Sequence, residues 1–237
     1  MRVIACTQKD ISPYGYEMHP CVWVVHVQIR REEFPQEAAR VVKHISRTSW
    51  LSKMNEIDHA SYESRMQNTL QDIKDAIQAG GNGGDEKMVR IFMEYLISVN
   101  AQNALKTQKH KVVPLAELWK EKSSGNPGFD FHTINPQQFL IFGEAKYKKK
   151  NSPFKNAFLQ IANFVKGDKH IRELTDLARV GAKCSAKRVL KGDFGIAAAF
   201  SVKPGRVEET IDKAIRHETF KSLLRNKEIY MVAIEIV

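Results

Sequence analysis

Thirteen residues separate Asp130 from the tripeptide Glu144-Ala145-Lys146. Two carboxylates and one amine at this spacing suit hydrolysis of a phosphodiester. Side chains alternate along a strand with period two, so Glu144 and Lys146 should project from one face. Asp130, on a neighbouring hairpin arm, can face them. Mg²⁺ uses few protein carboxylates and keeps several waters. Asp130, Glu144 and the backbone carbonyl of Ala145 could supply such a set, with Mn²⁺ as a substitute. A bound ion would activate water and offset charge on the phosphate, while Lys146 would orient that water and stabilise the transition state. Two acids alone would lack the cation, and a lone lysine would generate no hydroxide. The opposing interpretation makes Asp130 a turn cap and Glu144 with Lys146 an ion pair on a solvated face. The apolar run Phe139-Leu140-Ile141-Phe142 and the basic surroundings favour the first.

These residues need a frame, and the sequence predicts one. Residues 129–134 and 139–147 read as a β-hairpin around Asn135-Pro136. Ser152 and Pro153 suit the N-cap and first position of a helix, on which Phe154, Phe158, Ile161 and Val165 recur at helical spacing. Upstream, 21–29 is β-branched and aromatic and predicts a strand, and 36–46 a short helix. Residues 60–79 predict an exposed helix, 86–99 a helix apolar almost all round and so packed on a sheet, and 113–121 a short helix. The stretch 79–86, with glycines from Gly80 to Gly84, has neither GK[ST] nor GxGxxG and reads as a flexible connection. SSGNPG at 123–128 reads as a turn. Residues 194–202 predict a buried strand and 228–236 an edge strand, with a helix over 207–225 between them. The order implies an α/β fold with a mixed β-sheet flanked by helices. Residues 1–80 form an accessory strand and helix region and 81–237 the core, or the two make one continuous domain.

GFDF (128–131) and GEAK (143–146) resemble the two half-motifs of the PD-(D/E)xK nuclease superfamily. Phe129 stands where that family has proline. The resemblance implies a restriction-endonuclease-like core, an Mg²⁺-dependent endonuclease activity on DNA, and low intrinsic sequence specificity. It also implies an acidic residue from the helix ahead of the hairpin. Glu86 is the choice, because a ligand should sit at the sheet end, with Asp85 and Glu94 as competitors. A glutamine on the helix after ExK often faces the site in this family, and Gln160 matches it. More narrowly, the pattern is similar to nuclease subunits of anti-phage systems of the Hachiman type, which implies a helicase or ATPase partner.

Composition is compatible with this. The chain has 237 residues and a net charge of +10, with a pI near 9.5, a footprint of nucleic-acid binding. From Glu144 to Lys191 there are thirteen Lys or Arg against four Asp or Glu, so nearly the whole surplus lies beside the motif. Lys148, Lys149 and Lys150, with Lys155, are candidate contacts to the phosphate backbone. Lys183, Lys187, Arg188 and Lys191 are either a more distant grip on a duplex or a solvated loop. His132 shares a strand face with Asp130 and is expected as a bystander. The eight histidines form no HxxxH or HExxH, which argues against zinc. Cys6, Cys21 and Cys184 are widely spaced, which suits a reduced cytoplasm. No apolar run reaches the roughly 20 residues needed to cross a bilayer. A homodimer could cut both strands. Two further functions compete with the non-specific nuclease: a non-catalytic DNA-binding or scaffold subunit, and a sequence-specific restriction enzyme.

Overall fold

The segment Cys21–Ile29, CVWVVHVQI, forms a strand because its β-branched and aromatic residues fit a pleated surface. It is β2 in the computed structural model, which describes residues 1–16, 20–81, 86–120, 128–147 and 152–237. β1 (Arg2–Gln8) precedes it and α1 (Phe34–Ile45), α2 (Glu56–Gly81) and α3 (Glu86–Thr107) follow. Then come β3 (Lys111–Val112), β4 (Phe131–Ile134), β5 (Leu140–Lys146) and α4 (Pro153–Lys166). α5 (Lys169–Arg172), α6 (Leu174–Leu177) and α7 (Lys183–Val189) lead to β6 (Phe194–Val202). α8 (Val207–Arg216), α9 (Glu218–Lys221) and β7 (Glu228–Ile236) complete the chain.

One seven-stranded mixed sheet runs in the order β1-β2-β7-β6-β5-β4-β3. β2, β7, β6 and β5 are mutually parallel, while β1, β4 and β3 join antiparallel at the two sides. Parallel strands covered on both faces read as continuous apolar runs. β6 is buried at every residue and β7 at all but Ile236. β7 is therefore not the expected edge strand. Its run YMVAI lacks the polar alternation of an edge and lies between β2 and β6.

β1 carried no legible sequence signal, since most of its residues are exposed and show no alternation. It and β2 belong to the same sheet as the hairpin, and α2 packs on α3, so residues 1–80 and 81–237 share one core. α2 is less exposed than expected. Tyr62, Met66, Thr69, Leu70 and Ile73 fall at helical spacing and are buried. α3 continues past Val99, and the side-chain N–H groups of its buried amides find partners. Gln102 Nε2 donates to the carbonyls of Val113 and His132, and Asn100 Nδ2 to that of Leu96. The helix expected over 113–121 shrinks to a single turn at Ala116–Leu118. That expected over 207–225 breaks at His217, which adopts extended dihedrals and caps α9. Residues 82–85 of the glycine-rich stretch and the turn residues 123–127 lie outside the described residues.

Candidate active site

The expected hairpin forms, with Phe131 opposite Gly143 and Ile134 opposite Leu140. Asn135 closes its turn, its Oδ1 accepting from the Phe139 amide at 2.7 Å. Both glycines of the half-motifs have a steric reason. A Cβ at Gly143 would lie 2.3 Å from the Phe131 ring, directly across the ladder. A Cβ at Gly128 would lie 2.2 Å from Glu173 Oε1 and 2.4 Å from Lys120 Nζ.

The ladder ends unusually at Asp130. Its amide donates to the Gly143 carbonyl, but the Ala145 amide donates to Asp130 Oδ2 at 2.7 Å rather than to a main-chain carbonyl. The Asp130 carbonyl instead accepts from the Ala116 amide. One carboxylate oxygen of Asp130 is thus pinned to β5 between Glu144 and Lys146. Lys146 Nζ donates to Glu144 Oε1 at 2.5 Å, so these two side chains share a face as their spacing requires.

Glu144 is completely buried, and its Oε2 meets no hydrogen-bond partner among the described residues. Burial, then the adjacent Asp130 charge, pushes its carboxyl well above the usual range, against the pull of Lys146. Burial opposes the Lys146 charge, but Glu144, Asp130 and Glu94 outweigh it and hold the ammonium above its ordinary range. A buried carboxylate oxygen without a donor costs free energy unless something positive occupies the space. Mg²⁺ needs only one or two carboxylates and completes its shell with water. The side chains present therefore fit a hard divalent cation, although no three His, Cys, Asp or Glu side chains among the described residues are already gathered as a ligand set.

Of the acids expected on this helix, Glu94 is the one that the structure brings near Asp130 and Lys146. Burial raises its carboxyl pKa, Lys146 and the Tyr147 backbone oppose that, and Asp130 adds to it. Glu94 and Asp130 line one cavity of about 430 Å³, together with Asp72, Asp75 and Glu117. Glu86, the choice from sequence, is exposed at the first turn of α3. Eight residues at 1.5 Å rise put it about 12 Å from Glu94 along the axis. The half-buried tip expected of a ligand lies two turns further in, because α3 runs alongside the hairpin rather than pointing its start at it. Asp85 lies outside the described residues, as do Lys148, Lys149 and Lys150. Lys155 is exposed on the first turn of α4. Gln160 is half-buried further along α4, and no hydrogen bond ties it to Asp130, Glu144 or Lys146.

Sequence reasoning missed a second, buried layer. Glu173 accepts from the Phe129 amide at 3.0 Å, pairs with Lys120 at 2.6 Å and meets His132 Nε2 at 2.9 Å. Lys120 also donates to the Phe129 carbonyl at 2.5 Å. Both main-chain groups of the residue before Asp130 are therefore held by this cluster. Burial alone would raise the Glu173 carboxyl, but Lys120 and His132 outweigh it and keep it below the usual range. Burial depresses the fully enclosed His132 ring, against the pull of Glu173. His132 Nε2 lies against the Glu173 carboxylate, and Lys120 supplies that carboxylate's counter-charge. His132, expected as a bystander, belongs to this support. Glu173 lies 44 residues past Phe129 in sequence, Lys120 is nine before it, and the only local trace of their meeting is Gly128.

The basic stretch at the end of α7 lies elsewhere. Arg188 stacks its guanidinium 4.3 Å from the centroid of the Phe139 ring, pairs with Asp193 and donates to the Gln137 carbonyl. That is the end of the sheet where β5 and β6 begin, opposite Lys146. No helix among the described residues is long and apolar enough to cross a membrane. Compared with models of known protein families and with curated proteins, the chain matches none.

Proposed function

We propose that this chain is a divalent-cation-dependent nuclease that hydrolyses DNA, with a restriction-endonuclease-like core. The observation that carries this is Glu144. A fully enclosed carboxylate with an unpartnered oxygen sits beside the anchored Asp130 and is followed at period two by Lys146. Asp130 and Glu144 would hold Mg²⁺ or Mn²⁺, with the Ala145 carbonyl beside them and Glu94 available through water. When bound, such an ion lowers the pKa of a coordinated water and offsets the charge that builds on the phosphate. The chain's own groups do the rest. The Ala145 amide fixes the Asp130 carboxylate before any ligand arrives, which limits reorganisation. Lys146 keeps its proton and presents it to the attacked phosphate and the entering water. The Glu173 cluster holds Phe129 and so the approach of β4 to the site.

Low sequence specificity, a helicase or ATPase partner and a role in anti-phage defence are carried by the likeness of GFDF and GEAK to the PD-(D/E)xK and Hachiman-type motifs. The test is plasmid digestion in Mg²⁺. Wild-type protein degrades the plasmid, whereas Glu144→Ala and Lys146→Ala abolish cutting while retaining folding and DNA binding. Undiminished cutting by both variants would remove the assignment. Wild-type binding to DNA with no cutting under any divalent ion would favour the non-catalytic subunit instead.

A further inference from the structure

A groove lined in part by Tyr147 shares no lining residue with the acidic cavity. It encloses about 890 Å³ outside the carboxyl ends of the parallel strands, bounded by the end of β6, Ile236 of β7, and Arg31 just past β2. Ligands of open α/β sheets gather at such strand ends. The charge here is the reverse of that around Asp130. Arg31, Lys203, Arg206 and Lys213 line the groove against the single acid Glu209. Glu209 is already neutralised by Arg206 and by Lys213. Arg31 and Lys203 are exposed and have no acidic partner among the described residues. The first turn of α4 also lines the groove. Ser152 occupies its N-cap with extended dihedrals, but its side chain bonds none of the first-turn amides. Pro153 has no N–H, so the Phe154 and Lys155 amides are the first-turn donors that Ser152 leaves uncapped among the described residues.

Two features narrow the ligand. The half-buried rings of Tyr147 and Phe34 line the groove among the cations. Cations that follow a backbone and aromatic faces that take bases are the combination used for single-stranded nucleic acid. A groove of this size has room for a few stacked nucleotides. The location adds direction, because Tyr147 is the residue directly after Lys146. The geometry points to this groove as the binding path for single-stranded DNA, delivering one strand to the cutting centre from its basic side. This rests on the nuclease reading for its role and on the groove itself for its ligand.

The test is fluorescence anisotropy with a labelled single-stranded DNA and the matching hairpin duplex, in chelator so that nothing is cut. The wild type binds the single strand more tightly than the duplex. In the Arg31→Ala/Lys203→Ala double variant the salt dependence of single-strand binding becomes shallower by about 1.4, two contacts at about 0.7 each. Tyr147→Leu weakens binding by about tenfold through lost stacking. Thermal melts confirm that these surface variants fold. Tighter binding to the duplex, or wild-type salt dependence in the double variant, overturns the proposal. The two readings fail separately. Unaltered binding by the groove variants beside intact plasmid cutting removes the groove alone. Altered binding beside undiminished cutting by the Glu144 and Lys146 variants removes the nuclease assignment and leaves the groove.

Discussion

Replacing Glu173 by alanine should unfold the support beneath the site before it touches the site itself. The side chain is 9% exposed and serves Lys120, His132 and the Phe129 amide together. Its removal leaves an enclosed ammonium, a buried imidazole and a main-chain donor without their acceptor. Removing one partner of a buried charge pair costs about 3–5 kcal/mol. For a domain of this length each kcal/mol moves the melting temperature by about 2–4 °C, so Glu173→Ala should melt about 6–20 °C below wild type. Glu173→Gln keeps the shape and some hydrogen bonds but not the charge, and falls between the two. The pH dependence has a definite sign. The Glu173 carboxyl is held below its usual range in the folded chain. Its contribution is therefore complete above the unfolded carboxyl pKa near 4.3 and is lost as pH falls through the folded value. Circular-dichroism melts at pH 7 and pH 4 measure both effects. The gap between wild type and Glu173→Gln should be full at pH 7 and begin to close at pH 4, closing further as pH falls toward the folded value. A Glu173→Ala melt within about 2 °C of wild type at pH 7 would refute this account of the cluster.

Glu144→Gln should melt higher than wild type in chelator at pH 8, since it replaces a buried carboxylate beside Asp130 with a neutral amide. The folded pKa of Glu144 is raised, so this carboxyl's contribution declines as pH climbs from the unfolded value near 4.3 through the folded one. The advantage of the variant therefore vanishes toward pH 4, and a melt series that shows it constant with pH would contradict the burial argument. Glu94→Gln should reduce plasmid cutting by at least about tenfold, a loss of about 1.4 kcal/mol of transition-state stabilisation, while Glu86→Gln leaves it near wild type. Initial rates for the pair discriminate, and the reverse ranking would return the role to Glu86.

The hairpin, α4 and the central strands were legible because each has a periodic or continuous apolar signal. Phe139 to Phe142 announces β5, and CVWVVHVQI announces β2. β7 was misplaced to an edge because strand order depends on partners, and nothing in EIYMVAIEI says that β2, some two hundred residues away, lies beside it. β1 escaped notice because an exposed edge strand needs no pattern. At the site, Asp130, Glu144 and Lys146 could be read from spacing alone. That Glu94 rather than Glu86 comes near Asp130 could not, since it turns on how α3 crosses the hairpin. Glu173 and Lys120 were invisible because their meeting at Phe129 depends on tertiary packing that no local pattern encodes. Charge shows the difference most clearly. The sequence gathers its basic residues between Glu144 and Lys191, yet Arg188 is committed to Asp193 and Phe139. The groove's cations come instead from Arg31 and from the segment 203–213.

The central claim is that two carboxylates on one hairpin share a divalent ion, and titration calorimetry with Mn²⁺ reads it without any substrate. Wild-type protein should bind close to one ion per chain, with affinity that falls on Asp130→Asn and is lost on Glu144→Gln, both variants remaining folded. Identical Mn²⁺ isotherms for wild type and Glu144→Gln would contradict it.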